Sequence, residues 1–216
     1  MERHPDKKQR DIDFNRVTNF LREAREIGRN FEVGQKEATW IPQAEYAELP
    51  IVLLLASDIH YGSIHTDYDL LEKHLDIVEN TPNIFMATNG DHVDNFNPNI
   101  HPTGMTENPI PPQMQGRVFA QKLLDLDKKA KIAVIGQGNH DDFGFAASGQ
   151  DHYESFYDEM TAPIFTQGGM LSIVTRGATY DLLMNHTYWG RSKLNVTNSP
   201  KRMLEYEGGG RGDIVW

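Results

Sequence analysis

Ile51-Val-Leu-Leu-Leu-Ala-Ser-Asp58-Ile-His60 sets the architecture of this chain, because an apolar run leads directly into two polar residues that can bind a metal. A short, continuous apolar run bounded by turn residues predicts a strand that is buried on both faces. In open α/β sheets, ligands bind beyond the carboxyl ends of such strands. Asp58 and His60 are two residues apart, so both side chains should point to the same side if strand geometry persists.

Two later segments repeat this arrangement of an apolar strand followed by polar residues. Residues 83–88 form the second predicted strand, which leads into Gly90-Asp91-His-Val-Asp94. Residues 131–136 form the third, which leads into Gly138-Asn139-His140-Asp141. Because the carboxyl ends of parallel strands lie at the same edge of a sheet, we expect these three polar clusters to meet.

The segments between these strands have the periodicity of amphipathic helices. The predicted apolar faces comprise Leu70, Leu71, Leu75 and Val78 in the first helix, and Val118, Phe119, Leu123 and Leu126 in the second. Thr66 or Asp67 can cap the first helix, and Pro82 marks its end. The alternation of strands and helices predicts an α/β fold with parallel crossovers.

The remaining segments complete the predicted organisation. Residues 1–49 are predicted to be an N-terminal lead-in. It contains a helix whose apolar face comprises Phe14, Val17, Leu21 and Ala24. An irregular connection over residues 34–50 follows, and we expect it to pack on the main domain through Trp40. Residues 50–216 are predicted to be the main domain. Its last part contains a helix over residues 151–160, strands over residues 171–175 and 179–184, and a short strand over residues 212–216. The second of these strands leads into Asn185-His186.

Composition excludes several classes of protein. The chain has 216 residues, enough for one domain of moderate size, and a formal net charge of −10, which disfavours broad, non-specific binding to nucleic acid. It has no cysteine, so disulfides, thiolate metal ligands and cysteine nucleophiles are excluded. No apolar run approaches the length of a membrane span. We therefore expect a cytoplasmic protein that does not act at a membrane.

The motifs Asp58-x-His60, Gly90-Asp91-x-x-Asp94 and Gly138-Asn139-His140-Asp141, followed by His186, occur in an order that resembles the calcineurin-like metallophosphoesterases. The resemblance covers Val52 to Trp216. It implies a four-layer α/β/β/α sandwich with two divalent metal ions at the carboxyl ends of its strands. It also implies hydrolysis of phosphomonoesters or phosphodiesters by a hydroxide that the two metals activate. Relatives of this type include small-molecule phosphodiesterases and DNA-repair nucleases, so the expected substrate is a phosphorylated small molecule, a nucleotide or a nucleic acid.

The resemblance also implies a role for each site residue. Asp58 and His60 would bind the first metal, Asn139 and His186 the second, and Asp91 would bridge both. Oxygen and nitrogen ligands without sulfur suit Mn²⁺, which we favour, and also Fe or Zn²⁺.

The proton-transfer pair would be His140, which protonates the leaving oxygen, and Asp94, which orients the His140 ring. Arg191 and Lys193 either contact a substrate phosphate or lie in a solvated loop. Asp141 either supports the site from behind the ligands or has an ordinary loop role. His92 belongs to no motif, and we expect it at the surface.

One family motif does not occur. Members normally close the site with Gly-His-x-His after a late strand, and this sequence contains no such motif. Three interpretations follow: a truncated gene product, a split enzyme whose missing histidines come from a second polypeptide, or a degenerate, non-catalytic relative. The presence of Asp94, Asn139 and His140 favours an enzyme, because a scaffold does not need a proton-transfer pair.

Overall fold

The computed structural model describes residues 15, 17–23, 36–42, 50–97, 102–141, 143, 154–166, 168–188 and 197–216. The chain divides into two compact units, Met1–Gly34 and Gln35–Trp216. In the first unit, residues 17–23 are helical, as predicted, whereas Phe14 and Ala24 lie outside the described residues. The site residues that the sequence predicts belong to the second unit.

The second unit consists of two four-stranded sheets and five helices among its described residues. In chain order its elements are β1 (Glu37–Trp40), β2 (Val52–Ala56), α1 (Tyr68–Asn80), β3 (Ile84–Asn89), α2 (Gly104–Glu107), α3 (Pro112–Lys128), β4 (Ile132–Gly136), α4 (Glu154–Tyr157), β5 (Ile164–Phe165), β6 (Gly169–Val174), β7 (Thr179–Met184), α5 (Asn198–Tyr206) and β8 (Ile214–Val215). This composition confirms an α/β fold.

The first sheet has the order β2-β3-β4-β5, and all of its neighbouring strands are parallel, as the sequence predicts. The prediction that β2 is buried on both faces is wrong. Among the described strands β2 pairs only with β3, and Leu55 is 39% exposed. A run of apolar residues indicates a strand, but it carries no information about which neighbours will flank that strand in the sheet.

Helices α1 and α3 pack on one face of the first sheet. The shared core comprises Leu75 and Val78 of α1, Phe119, Leu123 and Leu126 of α3, and Met86, Ile132 and Ile135 of the sheet. Helix α1 begins where predicted, because the Asp67 side chain accepts a hydrogen bond from the Leu70 backbone N–H at 3.0 Å. Leu70 and Val118 depart from the predicted apolar faces, since both side chains are exposed.

The second sheet has the order β1-β6-β7-β8, with β6 and β7 antiparallel and the other pairs parallel. A core joins the two sheets: it comprises Ala87, Ala133, Val134 and Phe165 from the first sheet, and Leu171, Ile173, Leu182 and Met184 from the second. Met203 of α5 packs with Met170 and Leu183 of the second sheet.

Strand β1 corrects the prediction of an irregular connection over residues 34–50. Ala38 and Trp40 alternate with exposed residues and pack against the core between the sheets. Trp40 meets Phe85 edge to face, with the ring centroids 4.9 Å apart. The packing of Trp40 is therefore confirmed, but four residues give too short an alternation to identify a strand before β6 is present to pair with it. No helix in the described part of the chain has both the length and the apolar character that a bilayer span requires.

Candidate metal centre

The polar clusters after β2, β3 and β4 meet at one edge of the first sheet. Backbone hydrogen bonds extend the strand pairing into the loops: Asp58 N–H donates to the Gly90 carbonyl at 3.2 Å, and His60 N–H donates to the Asp91 carbonyl at 2.9 Å. The Gly90 N–H donates to the Gly136 carbonyl at 2.8 Å. This ladder holds the loops in register, so side chains distant in sequence converge on Asp91.

Asp91 is the shared member of two groups of possible metal ligands. We call His60, Asp91 and His140 the His60 group, and Asp58, Asp91 and His186 the His186 group. In each group the ligand atoms lie within 4.8 Å of one another. The carboxylate of Asp91 is buried and has two oxygens, so it can serve two cations.

This grouping differs from the one that the family resemblance implies. The resemblance implies that Asp58 and His60 bind the same metal, whereas by distance Asp58 groups with His186, and His60 with His140. Asp58 and His60 have left-handed backbone conformations, with φ of 54° and 48°, so strand geometry does not persist beyond Ser57. Asp91 has a φ of 50°. Such strained conformations in non-glycine residues are concentrated at functional sites.

The three histidine rings are held in the same way, through the nitrogen Nδ1. In each ring Nδ1 contacts an oxygen: the Asp94 carboxylate for His60 (3.0 Å), the Asp94 carbonyl for His140 (2.6 Å) and the Asn89 carbonyl for His186 (2.7 Å). An acceptor at Nδ1 holds the proton there and leaves Nε2 as the nitrogen that can bind a metal. Metal-binding histidines in proteins characteristically have such an acceptor behind the ring.

Asp94 contacts both histidines of the His60 group. One carboxylate oxygen lies 3.0 Å from Nδ1 of His60, a contact that the sequence did not indicate. The other carboxylate oxygen accepts a hydrogen bond from the Asn108 side chain at 2.7 Å. The backbone carbonyl of Asp94 lies 2.6 Å from Nδ1 of His140. Asp94 therefore connects the two imidazoles through different atoms.

Asp91 and His186 form an ion pair. Nε2 of His186 lies 3.1 Å from a carboxylate oxygen of Asp91. The hydrogen bond to Asp91 raises the pKa of His186 to about 9, against the opposing effect of burial. Burial acts to raise the pKa of Asp91, but the hydrogen bonds from His186 and from the His140 backbone outweigh it and hold that pKa below its usual range. A metal ion binding to the His186 group must therefore displace a proton.

Two glycines allow the loops to approach this closely. A Cβ on Gly138 would lie 2.3 Å from the backbone nitrogen of Asp91, and one on Gly90, whose φ is 80°, would lie 2.5 Å from the Cα of Gly138. Both distances are far below contact distance, so any larger residue would push the two loops apart. These positions match the glycines of the predicted motifs.

His92 and Asp141 form a buried pair that sequence reasoning missed. The prediction that His92 lies at the surface is wrong: it is 3% exposed. Its Nδ1 lies 3.0 Å from the Asp141 carboxylate, which also accepts the Gly138 backbone N–H at 2.8 Å. Asp141 thus ties the loop after β3 to the loop after β4. Its position next to His140 was the available signal, whereas nothing in the sequence indicated the partnership with His92.

Two amides support Asp94 from the side remote from His60. The side chain of Gln115, fully buried in α3, donates to the Asn108 side-chain oxygen at 2.7 Å, and Asn108 in turn donates to Asp94. Gln115 also accepts the Asn95 backbone N–H at 2.8 Å. No motif or spacing identifies these residues, because amides in a loop and a helix become partners only through tertiary packing.

The remaining predicted site residues have different positions. Asn139 is exposed and lines a cavity of about 300 Å³ together with Asn185 and His186. Arg191 and Lys193 lie outside the described residues.

No protein-family model matches this chain, and no curated protein matches it at a significant level. The function of the site is therefore inferred from its own geometry and chemistry.

Proposed function

We propose that this chain is a metal-dependent phosphoesterase of the calcineurin-like type, which hydrolyses phosphomonoesters or phosphodiesters. The observation that carries the proposal is the position of Asp91, a buried carboxylate shared by two groups of ligand atoms. Catalytic sites with two metals about 3.5–4 Å apart recur in phosphatases and nucleases. A single carboxylate that serves both groups is the arrangement such a site requires.

The donor atoms fit divalent cations. Each group combines imidazole and carboxylate ligands, and neither contains sulfur. Such mixed sets suit Mn²⁺, which we propose, as well as Fe or Zn²⁺. When bound, the ions supply an activated water and neutralise charge on the phosphoryl group. Asn139 lines the same cavity as His186 and carries an amide oxygen, a further ligand type that such cations accept.

His140 has the surroundings of a proton donor. In ester hydrolysis, an oxygen of water bonds to phosphorus, the ester P–O bond breaks, and the departing oxygen takes a proton. The Asp94 carbonyl, 2.6 Å from Nδ1, accepts a hydrogen bond from that nitrogen and leaves Nε2 as the nitrogen from which a proton can be transferred. If His140 acts in this way, its ring serves the leaving group rather than a metal.

The layering of the second unit supports the same family. Helices α1 and α3 pack on the first sheet, the two sheets share a core, and α5 packs on the second sheet. We propose that this order corresponds to the α/β/β/α sandwich of the metallophosphoesterases.

The proposal is tested by Mn²⁺-dependent hydrolysis of bis(p-nitrophenyl) phosphate by the purified chain. We expect turnover in the natural sequence and a fall to the background rate in Asp91→Asn, since both groups lose their shared anion. Asp125→Asn is the matched control, because Asp125 is an exposed helical carboxylate bonded to Gln121. A folded, metal-loaded chain without turnover, or an Asp91→Asn variant that retains it, would contradict the proposal.

The role of His140 is separated from metal binding by varying the leaving group. A proton donor matters most when the leaving oxygen is basic. We therefore expect His140→Asn to slow the hydrolysis of an alkyl ester more than that of a p-nitrophenyl ester, with the bound Mn²⁺ unchanged. Loss of Mn²⁺ from this variant would instead identify His140 as a ligand.

A further inference from the structure

A cleft of about 620 Å³ opens beside the His60 group, between β2 and α1. Asp58, His60 and Asp94 line one end of it, and the rest follows the two elements away from the metal centre. We infer that this cleft binds an apolar organic group of the substrate, so that the enzyme prefers phosphoesters whose alcohol carries an alkyl or aryl chain. The inference rests on the proposed phosphoesterase function of the adjoining site.

The cleft has a polar part and an apolar part. Besides the residues of the metal end, the polar lining includes Ser63, His65, Thr66 and His74, and the apolar lining includes Leu54, Leu55, Leu70, Leu71, Leu75 and Met86. Leu75 and Met86 belong to the core under α1, so this part of the wall is rigid. A volume of this size falls within the usual range of 300–1,000 Å³ for small-molecule sites, which combine apolar walls with a few polar groups.

Leu70 distinguishes the cleft from an ordinary surface groove. It is 47% exposed and lines the cleft from α1, while Leu54 of β2, which packs against the core under α1, lines it from the strand. Leu70 belongs by its spacing to the apolar face of α1, yet it remains uncovered beside β2, the outermost of the described strands in its sheet. Apolar side chains left exposed next to a polar, strained site are typical of ligand binding.

The charges around the cleft favour a neutral group over a polyanion. Among the described residues that line it there is no lysine or arginine. The carboxylates there are Asp58, Asp67, Asp94 and Glu107. They would repel further phosphates along a nucleic acid strand, whereas an uncharged alkyl or aryl chain experiences no such repulsion. The negative charge of a substrate is therefore accommodated at the metal end alone.

The first experiment is independent of catalysis and uses the metal-free chain. Leucine methyl groups are labelled and their NMR signals followed while n-alkanols from butanol to octanol are added. We expect Leu54 and Leu70 to shift, with affinity rising about threefold to fourfold per methylene until the cleft is filled. Leu182, buried between the sheets, is the internal control. Absence of shifts at Leu54 and Leu70, or affinity that does not depend on chain length, overturns the inference.

The second experiment tests the link to the substrate with the Mn²⁺-loaded chain. The values of kcat/KM are compared for p-nitrophenyl phosphodiesters whose second ester group is methyl, butyl or octyl. We expect kcat/KM to rise with alkyl length. In Leu70→Gln, the ratio of kcat/KM for the octyl ester to that for the methyl ester should be about tenfold smaller than in the natural sequence. Ile77→Gln is the matched control, because Ile77 is 39% exposed on the same helix but does not line the cleft.

The two proposals fail in different ways. Turnover of every ester with the same kcat/KM overturns the cleft assignment and leaves the phosphoesterase intact. Absence of turnover with every ester, in a folded and metal-loaded chain, overturns the phosphoesterase and with it the cleft as a substrate site. A Leu70→Gln variant that behaves like Ile77→Gln also overturns the cleft assignment.

Discussion

The His60 group and the His186 group share Asp91 but are held in contrasting ways. His186 is only 8% exposed, lies 3.1 Å from the Asp91 carboxylate, and is oriented by a backbone carbonyl. His60 is 29% exposed, lies 3.7 Å from the same carboxylate, and is oriented by the Asp94 side chain. The contrast shows that the His186 ring is positioned by a backbone carbonyl and an ion pair, whereas the His60 ring is positioned by a side chain beside an open cleft. Substitution of the supporting side chain Asp94 should therefore affect mainly the His60 group. A change of pH should affect mainly the ion pair of the His186 group.

The largest effect is expected from Gly138→Ala, which should remove the contrast by damaging both groups. The added methyl would lie 2.3 Å from Asp91 and cannot be accommodated without moving the shared carboxylate. We expect a loss of about 1–3 kcal/mol or more in the free energy of unfolding and no measurable Mn²⁺ binding. Chemical denaturation and calorimetric titration check this.

Gly177→Ala provides the matched control, because nothing lies within 4 Å of a Cβ at that position. Its stability and metal binding should be close to those of the natural sequence. Equal losses in the two variants would show that the close approach at Gly138 is not required.

Asp94→Asn should sharpen the contrast by weakening the His60 group alone. An amide whose oxygen accepts from Asn108 presents its NH₂ to Nδ1 of His60, so the ring proton moves to Nε2 and blocks the metal-binding nitrogen. We expect affinity for one Mn²⁺ ion to fall about 10–100-fold while the other ion is unaffected. Calorimetric titration with a two-site fit measures both. A similar fall at both sites would contradict the division into two groups.

The pH dependence of the metal-free chain should reveal the His186 group. The pKa of His186 rises from 6.5 to about 9, so its pairing with Asp91 stabilises the fold fully below about pH 6.5. That stabilisation is lost as the pH rises through about 9. We expect the free energy of unfolding to decrease by about 2–3 kcal/mol over this interval.

Deprotonation of His186 over the same pH interval should strengthen Mn²⁺ binding, because Mn²⁺ competes with the proton on this residue. Apparent Mn²⁺ affinity should therefore increase with pH over the interval in which the metal-free chain loses stability. In His186→Gln both trends should disappear. Stability that rises with pH in the natural chain would be inconsistent with the pair.

The smallest effect is expected from Glu79→Gln, which tests whether mild destabilisation alone disturbs either group. Glu79 on α1 pairs with Lys122 and Lys129, and hydrogen bonds from these lysines lower its pKa to about 2. The pairing stabilises the fold above about pH 4.5 and is lost as the pH falls towards 2. We expect a loss below about 1 kcal/mol at pH 7, since the pair lies near the surface. Unchanged Mn²⁺ titrations would show that the effects at Asp94 and His186 are local.

The polar ends of three strands could be predicted because each motif is local. An apolar run ending in Asp58-x-His60 already indicates a strand and its carboxyl end, and parallel pairing then brings such ends together. Residues 37–40 could not be recognised in this way, since their pairing with β6 joins segments more than a hundred residues apart. His92 was misplaced for a similar reason: its burial depends on Asp141, which lies in a different loop.

The α/β class, the parallel strands β2, β3 and β4 with the helices between them, and the polar residues that follow these strands could be predicted from sequence alone, because periodicity and motif spacing act within single segments. Tertiary structure decided the partners: Asp94 with His60, His92 with Asp141, Asn108 with Gln115, and β2 as the outermost described strand of its sheet. These depend on which loops and strands become neighbours, and hydrogen bonds between side chains are selected only after the backbone has brought them within reach.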